Sequence, residues 1–220
     1  MRTGDQVQTM TDPAMEPERP SVGEALHIRT LGRKARDHQI SANALLGLGS
    51  GLAVFASALL LWGGIVEGPV RAALLLLAAA IMPMRLLVNR LSAVTLSNGV
   101  SGSTSSALRR WLHLGEASLL MAAGGFSAFG SGHDMGAVLG LACAGMALLG
   151  GLRGPARQGF IYGLYPSLVL GFTAAVAAFE TLWGWRGQSF LIGLNVIGVV
   201  LIVQILRRRP GVSRPTSDPA

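Results

Sequence analysis

Residues 160–209 read FIYGLYPSLVLGFTAAVAAFETLWGWRGQSFLIGLNVIGVVLIVQILRRR, and the rest of the chain is understood from them. Two mostly apolar runs, 160–183 and 189–206, are separated by Gly184-Trp185-Arg186-Gly187 and closed by Arg207, Arg208 and Arg209. A helix rises about 1.5 Å per residue, so runs of this length match a hydrocarbon core about 30 Å thick. Backbone in lipid must satisfy its own hydrogen bonds, which makes helix the expected conformation, and the triple arginine marks a cytoplasmic end. The stretch reads as a membrane hairpin.

The same grammar recurs upstream. Runs 44–65 and 70–88 flank Glu67-Gly68-Pro69, and runs 111–130 and 136–152 flank Ser131-Gly132-His133-Asp134-Met135. The expected fold is therefore all-α, a bundle of six transmembrane helices arranged as three hairpins. Half of the 220 residues are hydrophobic and only 13% are charged, with a mean hydropathy of +0.50. That balance suits a membrane-embedded body. Residues 1–40 form a polar tail, expected to be disordered over its proline-rich first half and amphipathic over 22–39, where Ala25, Leu26, Ile28 and Leu31 alternate with Arg29, Arg33, Lys34 and Arg36. The membrane domain covers 41–208 and a short basic tail 209–220. Residues 92–106 are rich in Ser and Thr and broken by Asn98, Gly99 and Gly102, so they read as a cytoplasmic loop.

The net charge of +7 does not point to nucleic acid, because the basic residues form no patch interleaved with aromatics. They gather at the ends of the apolar runs instead. Arg29, Arg33, Lys34, Arg36, Arg85, Arg90, Arg109, Arg110, Arg153, Arg157, Arg207, Arg208, Arg209 and Arg214 fall on one side of the six-span scheme, against Arg71 and Arg186 on the other. By the positive-inside bias both termini are cytoplasmic, in the inner membrane of a bacterial cell. A cleaved signal peptide is not expected, since the first apolar run begins more than forty residues into the chain.

Chemistry is sparse. Between residues 42 and 206 the acids are Glu67, Glu116, Asp134 and Glu180, the histidines His113 and His133, and the lone thiol Cys143. Metal-assisted catalysis needs several converging ligands and haem needs buried histidines, so no metal or cofactor is expected, and an enzyme is the least favoured class. Gly99-Val100-Ser101-Gly102 resembles the Gly-x-Ser-Gly pattern of the rhomboid intramembrane proteases, which also have a six-helix core. That family's serine opens an apolar helix and pairs with a histidine on the last span. Here Ser101 lies among Ser103, Thr104, Ser105 and Ser106, and no histidine follows His133.

Three sets of residues remain. Arg85 and Glu116 fall at the same depth and are expected to pair, as an ion pair or a gating element; Glu180 is expected to pair with Arg186. Pro166 removes an amide donor inside the fifth span, so Tyr162, Tyr165, Pro166, Ser167 and Thr173, with Asn195 on the sixth, make a candidate solute site. Gly47 with Gly51, Gly136 with Gly140, and Gly159 with Gly163 are small-xxx-small pairs that suit close helix packing, within the chain or against a partner. The reading these support best is an accessory or scaffold subunit of a membrane assembly, homo- or hetero-oligomeric within the bilayer. The alternative is a small oligomeric transporter or channel with its site at the kinked fifth helix.

Overall fold

The computed structural model describes residues 41–97, 106–153, 158–185 and 188–207. Among them are six helices and no strand: α1 (Ala42–Ile65), α2 (Gly68–Ser97), α3 (Ser106–Gly130), α4 (Met135–Arg153), α5 (Gln158–Leu182) and α6 (Ser189–Leu206). The amphipathic 22–39, the Gly99–Gly102 motif, Arg186 and the C-terminal tail lie outside the described residues.

The helix boundaries follow local chemistry. Ser41 accepts the Ala44 amide at 3.1 Å and caps α1. Gly132 and Gly184 adopt positive φ, at 86° and 69°. Around them the His133 amide bonds to the Ala128 carbonyl and the Trp185 amide to the Glu180 carbonyl, while Gly132 and Gly184 bond to Phe129 and Thr181. Both are Schellman ends, which need a residue that tolerates the left-handed region.

One expectation is corrected. Helix α2 does not stop near residue 88 but continues to Ser97, through the first part of the expected loop. The hydroxyls that suggested a loop are satisfied on helices: Ser92 donates to the Ala42 carbonyl at 2.9 Å and Thr95 to the Ser92 carbonyl at 2.9 Å. Both side chains are buried. A serine or threonine that hydrogen-bonds a nearby carbonyl does not interrupt a helix.

Four of the helices are long and apolar enough to cross a membrane: Ala42–Ile65, Gly68–Thr95, Tyr165–Leu182 and Ser189–Leu206. Helix α4 contains a shorter apolar segment, Met135–Gly151. Helix α3 is the more polar one, with Arg109, Arg110, His113 and Glu116 in its first half, and it is also the most enclosed, packing on α1, α4, α5 and α6. A helix surrounded by protein needs less lipophilic surface than one at the rim. The other principal contacts are α1 on α2, α2 on α5, and α6 on α4 and α5. Contacts set the helix directions: Ser92 near the end of α2 bonds to Ala42 at the start of α1, Arg110 near the start of α3 bonds to Gly151 near the end of α4, Ser167 in the first half of α5 bonds to Arg85 in the second half of α2, and Gly193 near the start of α6 packs on Thr173 of α5, so α1, α3 and α5 begin at the end where α2, α4 and α6 finish. Arg90, Arg109, Arg110 and Arg207 gather there, and we call it the basic end.

Where α3 meets α4, backbone lies on backbone. A Cβ at Gly125 would fall 2.6 Å from the Gly136 carbonyl oxygen and 2.7 Å from the Gly140 Cα; one at Gly140 would fall 2.6 Å from the Gly125 Cα. Gly136 and Gly140 thus serve contact within the chain. Gly47 and Gly51, expected to pack likewise, are exposed on α1 and a Cβ at either meets nothing within 4 Å. The glycines of α1 that do pack are Gly49, against the Asn89 side chain of α2, Gly63, against Leu75 of α2, and Gly64, against the Phe126–Ser127 backbone of α3; buried positions on a helix recur every three to four residues, and in the first half of α1 that register selects Gly49. Gly159 and Gly163 belong to the part of α5 whose side-chain environment is not described.

Candidate functional site

Deep in the bundle, four helices each contribute a polar side chain to one layer. Arg85 on α2, fully enclosed at 1% exposure, donates through Nε and Nη2 to Glu116 Oε2 on α3, at 3.2 and 2.5 Å. Its Nη1 donates to Ser167 Oγ on α5 at 2.5 Å. The second carboxylate oxygen, Oε1, accepts the Ser50 hydroxyl of α1 at 2.5 Å. His113, one turn before Glu116 on α3, places Nδ1 3.6 Å from Oε2 and is 24% exposed, on the side nearer the basic end. Counting helix residues from the basic end, Ser50, Arg85, Glu116 and Ser167 lie about 12 to 18 Å inside it.

The arrangement can be read residue by residue. A guanidinium offers donors in a planar fork, so a single arginine holds the carboxylate through Nε and Nη2 and a hydroxyl on another helix through Nη1. Glu116, 6% exposed, is a carboxylate with both oxygens engaged, and its charge opposes that of Arg85. Burying either ion alone costs several kcal/mol, and the pair offsets that only with its hydrogen bonds in place. Next to Ser50, Gly49 lets the Asn89 side chain of α2 approach the backbone of α1.

The other expected residues do not join it. Thr173 donates to its own helix at the Leu170 carbonyl, 2.9 Å away, and its methyl packs on Gly193 of α6. Asn195 is exposed on α6 and donates to the Leu191 carbonyl at 2.9 Å. Tyr165 packs against the hydrophobic core, and the side chain of Tyr162 is outside the described residues. The solute site expected around Pro166 is therefore not assembled as one site: Ser167 faces α2, Thr173 faces α6 and Asn195 faces outward. Glu180 lies in the electrostatic field of Arg71, together with Glu67, and Arg71 Nη2 also donates to Ser131 Oγ.

Comparison with protein families, curated proteins and solved structures finds no match. Among the described residues no three His, Cys, Asp or Glu side chains gather as a metal site would require.

Ser50 and His113 were not singled out by sequence reasoning. The signal for His113 is its i, i+3 spacing to Glu116, which puts both on one helix face. For Ser50 the available signal is a lone hydroxyl set between two glycines in an apolar run.

Proposed function

We propose that this chain is embedded in a bacterial inner membrane as six spans in three hairpins, both termini cytoplasmic, and acts as an accessory or scaffold subunit of a membrane assembly. The observation that carries the scaffold reading is the use of the polar side chains at depth: Arg85 and Glu116 bond to each other and to Ser50 and Ser167, while Thr173 and Asn195 bond to carbonyls of their own helices. Such groups hold helices together and do not converge on a solute. The orientation is supported by the basic end, with Arg71 as the one arginine at the opposite end among the described residues. Association is supported by α1, whose outward face presents Gly47 and Gly51 among Leu48, Val54, Phe55 and Trp62, all exposed.

One observation favours the alternative, a small oligomeric transporter or channel. A groove of about 250 Å³ opens between α2 and α5, lined by Ala79, Pro83, Ser167 and Gly171 among others. The two readings separate on paired measurements: mass and co-purifying chains in gentle detergent, and flux of ions and small metabolites in reconstituted vesicles. A scaffold gives a stable complex and vesicles no leakier than empty ones. Specific flux that disappears in Pro166→Ala while the complex persists overturns the scaffold reading.

A further inference from the structure

Helix α6 is the most apolar of the four long spans, and its inner face lies against the bundle through Phe190, Gly193, Leu194, Ile197, Gly198 and Leu201, all buried. The outward face carries Ile192, Asn195, Val199, Ile202 and Leu206, all exposed. Their spacing alternates three and four residues, the heptad spacing that keeps one seam of a helix turned toward a neighbour crossed at about 20°. Ile192, Val199 and Ile202 are β-branched, and the helix already restricts their χ1, so packing them against another surface orders little more.

Asn195 interrupts this apolar face. It stands about 9 Å along the helix from Ser189 and about 17 Å from Leu206, away from either end. Its Nδ2 donates to the Leu191 carbonyl at 2.9 Å, and among the described residues it makes no other hydrogen bond, which leaves the second Nδ2 hydrogen and Oδ1 without partners. Lipid tails offer neither a donor nor an acceptor, so these groups are satisfied at depth only by another polar group brought to the same level.

We propose that the outward face of α6 is a self-association seam, against which a second copy of this chain packs its own α6 in parallel, Asn195 beside Asn195. The assignment rests on the reading of the chain as membrane-embedded and supplies the self-contact of its oligomer. Copies inserted the same way round share one topology, so residue 195 of each lies at the same depth. A carboxamide holds both a donor and an acceptor, so like meets like across a twofold axis: Nδ2 of each copy donates to Oδ1 of the other. A different partner would have to bring its own polar group to that level, whereas a second copy has it by construction. No charged side chain lies between Ser189 and Leu206 to oppose the contact, and a single polar residue in an apolar seam fixes its register.

The test uses the full-length protein in a Cys143→Ser background. Oxidation of Val199→Cys in membrane vesicles should give a disulfide-linked species of twice the chain mass, and Met84→Cys, exposed on α2, should not. In detergent, light scattering over a concentration series gives the Kd of the dimer, which Asn195→Leu should raise about tenfold. Helical content by circular dichroism should be unchanged in that variant, because the side chain is exposed in the single chain. Equal linkage at Met84→Cys and Val199→Cys, an adduct whose mass is not twice that of the chain, or one Kd for the wild type and Asn195→Leu overturns the seam. An alkaline carbonate wash of the same vesicles separates this from the reading beneath it. Protein retained in the pellet without an α6 cross-link overturns the seam alone; protein released by the wash overturns the membrane embedding and the seam with it.

Discussion

At the scale of the residue, the molecule turns on one carboxylate with three neighbours. Glu116 is gripped by Arg85 through Oε2 and by Ser50 through Oε1, with His113 alongside. Removing its charge leaves a buried guanidinium unpaired, so Glu116→Gln should lower stability by about 3–5 kcal/mol, read as a fall in the unfolding midpoint in detergent. Adding Arg85→Gln should recover part of that loss, because the second substitution removes the orphaned charge; strictly additive losses would show that the two side chains do not interact. Ser50→Ala removes one hydrogen bond to a charged group and should cost less, about 1.5–3 kcal/mol in the same measurement. A larger effect from Ser50→Ala than from Glu116→Gln would contradict the hierarchy derived from the geometry.

At the scale of the element, identical glycines have opposite roles because helix register points them in different directions. Gly140 lies backbone to backbone with Gly125, where no side chain fits without moving a helix, and Gly47 faces away from the bundle. Gly140→Leu should therefore abolish recovery of monodisperse protein. Gly47→Leu should fold with an unchanged or higher unfolding midpoint, gaining about 1 kcal/mol of helix propensity. If the outward face of α1 carries a partner, Gly47→Leu combined with Gly51→Leu should shift the complex to smaller mass while the fold is kept. Size-exclusion chromatography with light scattering reads both outcomes. Element ends were legible in sequence where glycine closes a helix, as at Gly132 and Gly184. The end of α2 was not, because serine and threonine signal a loop only when their hydroxyls are not bonded to helix carbonyls, and Ser92 finds its acceptor on α1.

At the scale of the whole molecule, a polar helix is enclosed by more apolar ones. Helix α3 takes contacts from α1, α4, α5 and α6 and carries Glu116, the centre of the polar layer. Glu116 on the enclosed helix meets Arg85, the charge that α2 turns inward. The proposed topology makes a direct prediction: a reporter active only outside the cytoplasm should be active when fused after Gly68, Asp134 or Gly187 and inactive after Ser103 or Gly154. Activity in the reverse pattern would sink the six-span arrangement.

The all-helical class, the approximate position of all six helices and the shared depth of Arg85 and Glu116 were legible in the sequence, because hydropathy, turn glycines and distance along a helix are local quantities. Which groups meet was decided by the tertiary structure alone. Ser50 reaches Glu116 across 66 residues and Arg85 reaches Ser167 across 82. Those contacts depend on how each helix is rotated about its axis and which neighbour it faces, and rotation is set by packing among all the helices together. The same nonlocal choice turned Gly49 inward and Gly47 and Gly51 outward, and parted Ser167, Thr173 and Asn195, which the chain order alone had put in one group.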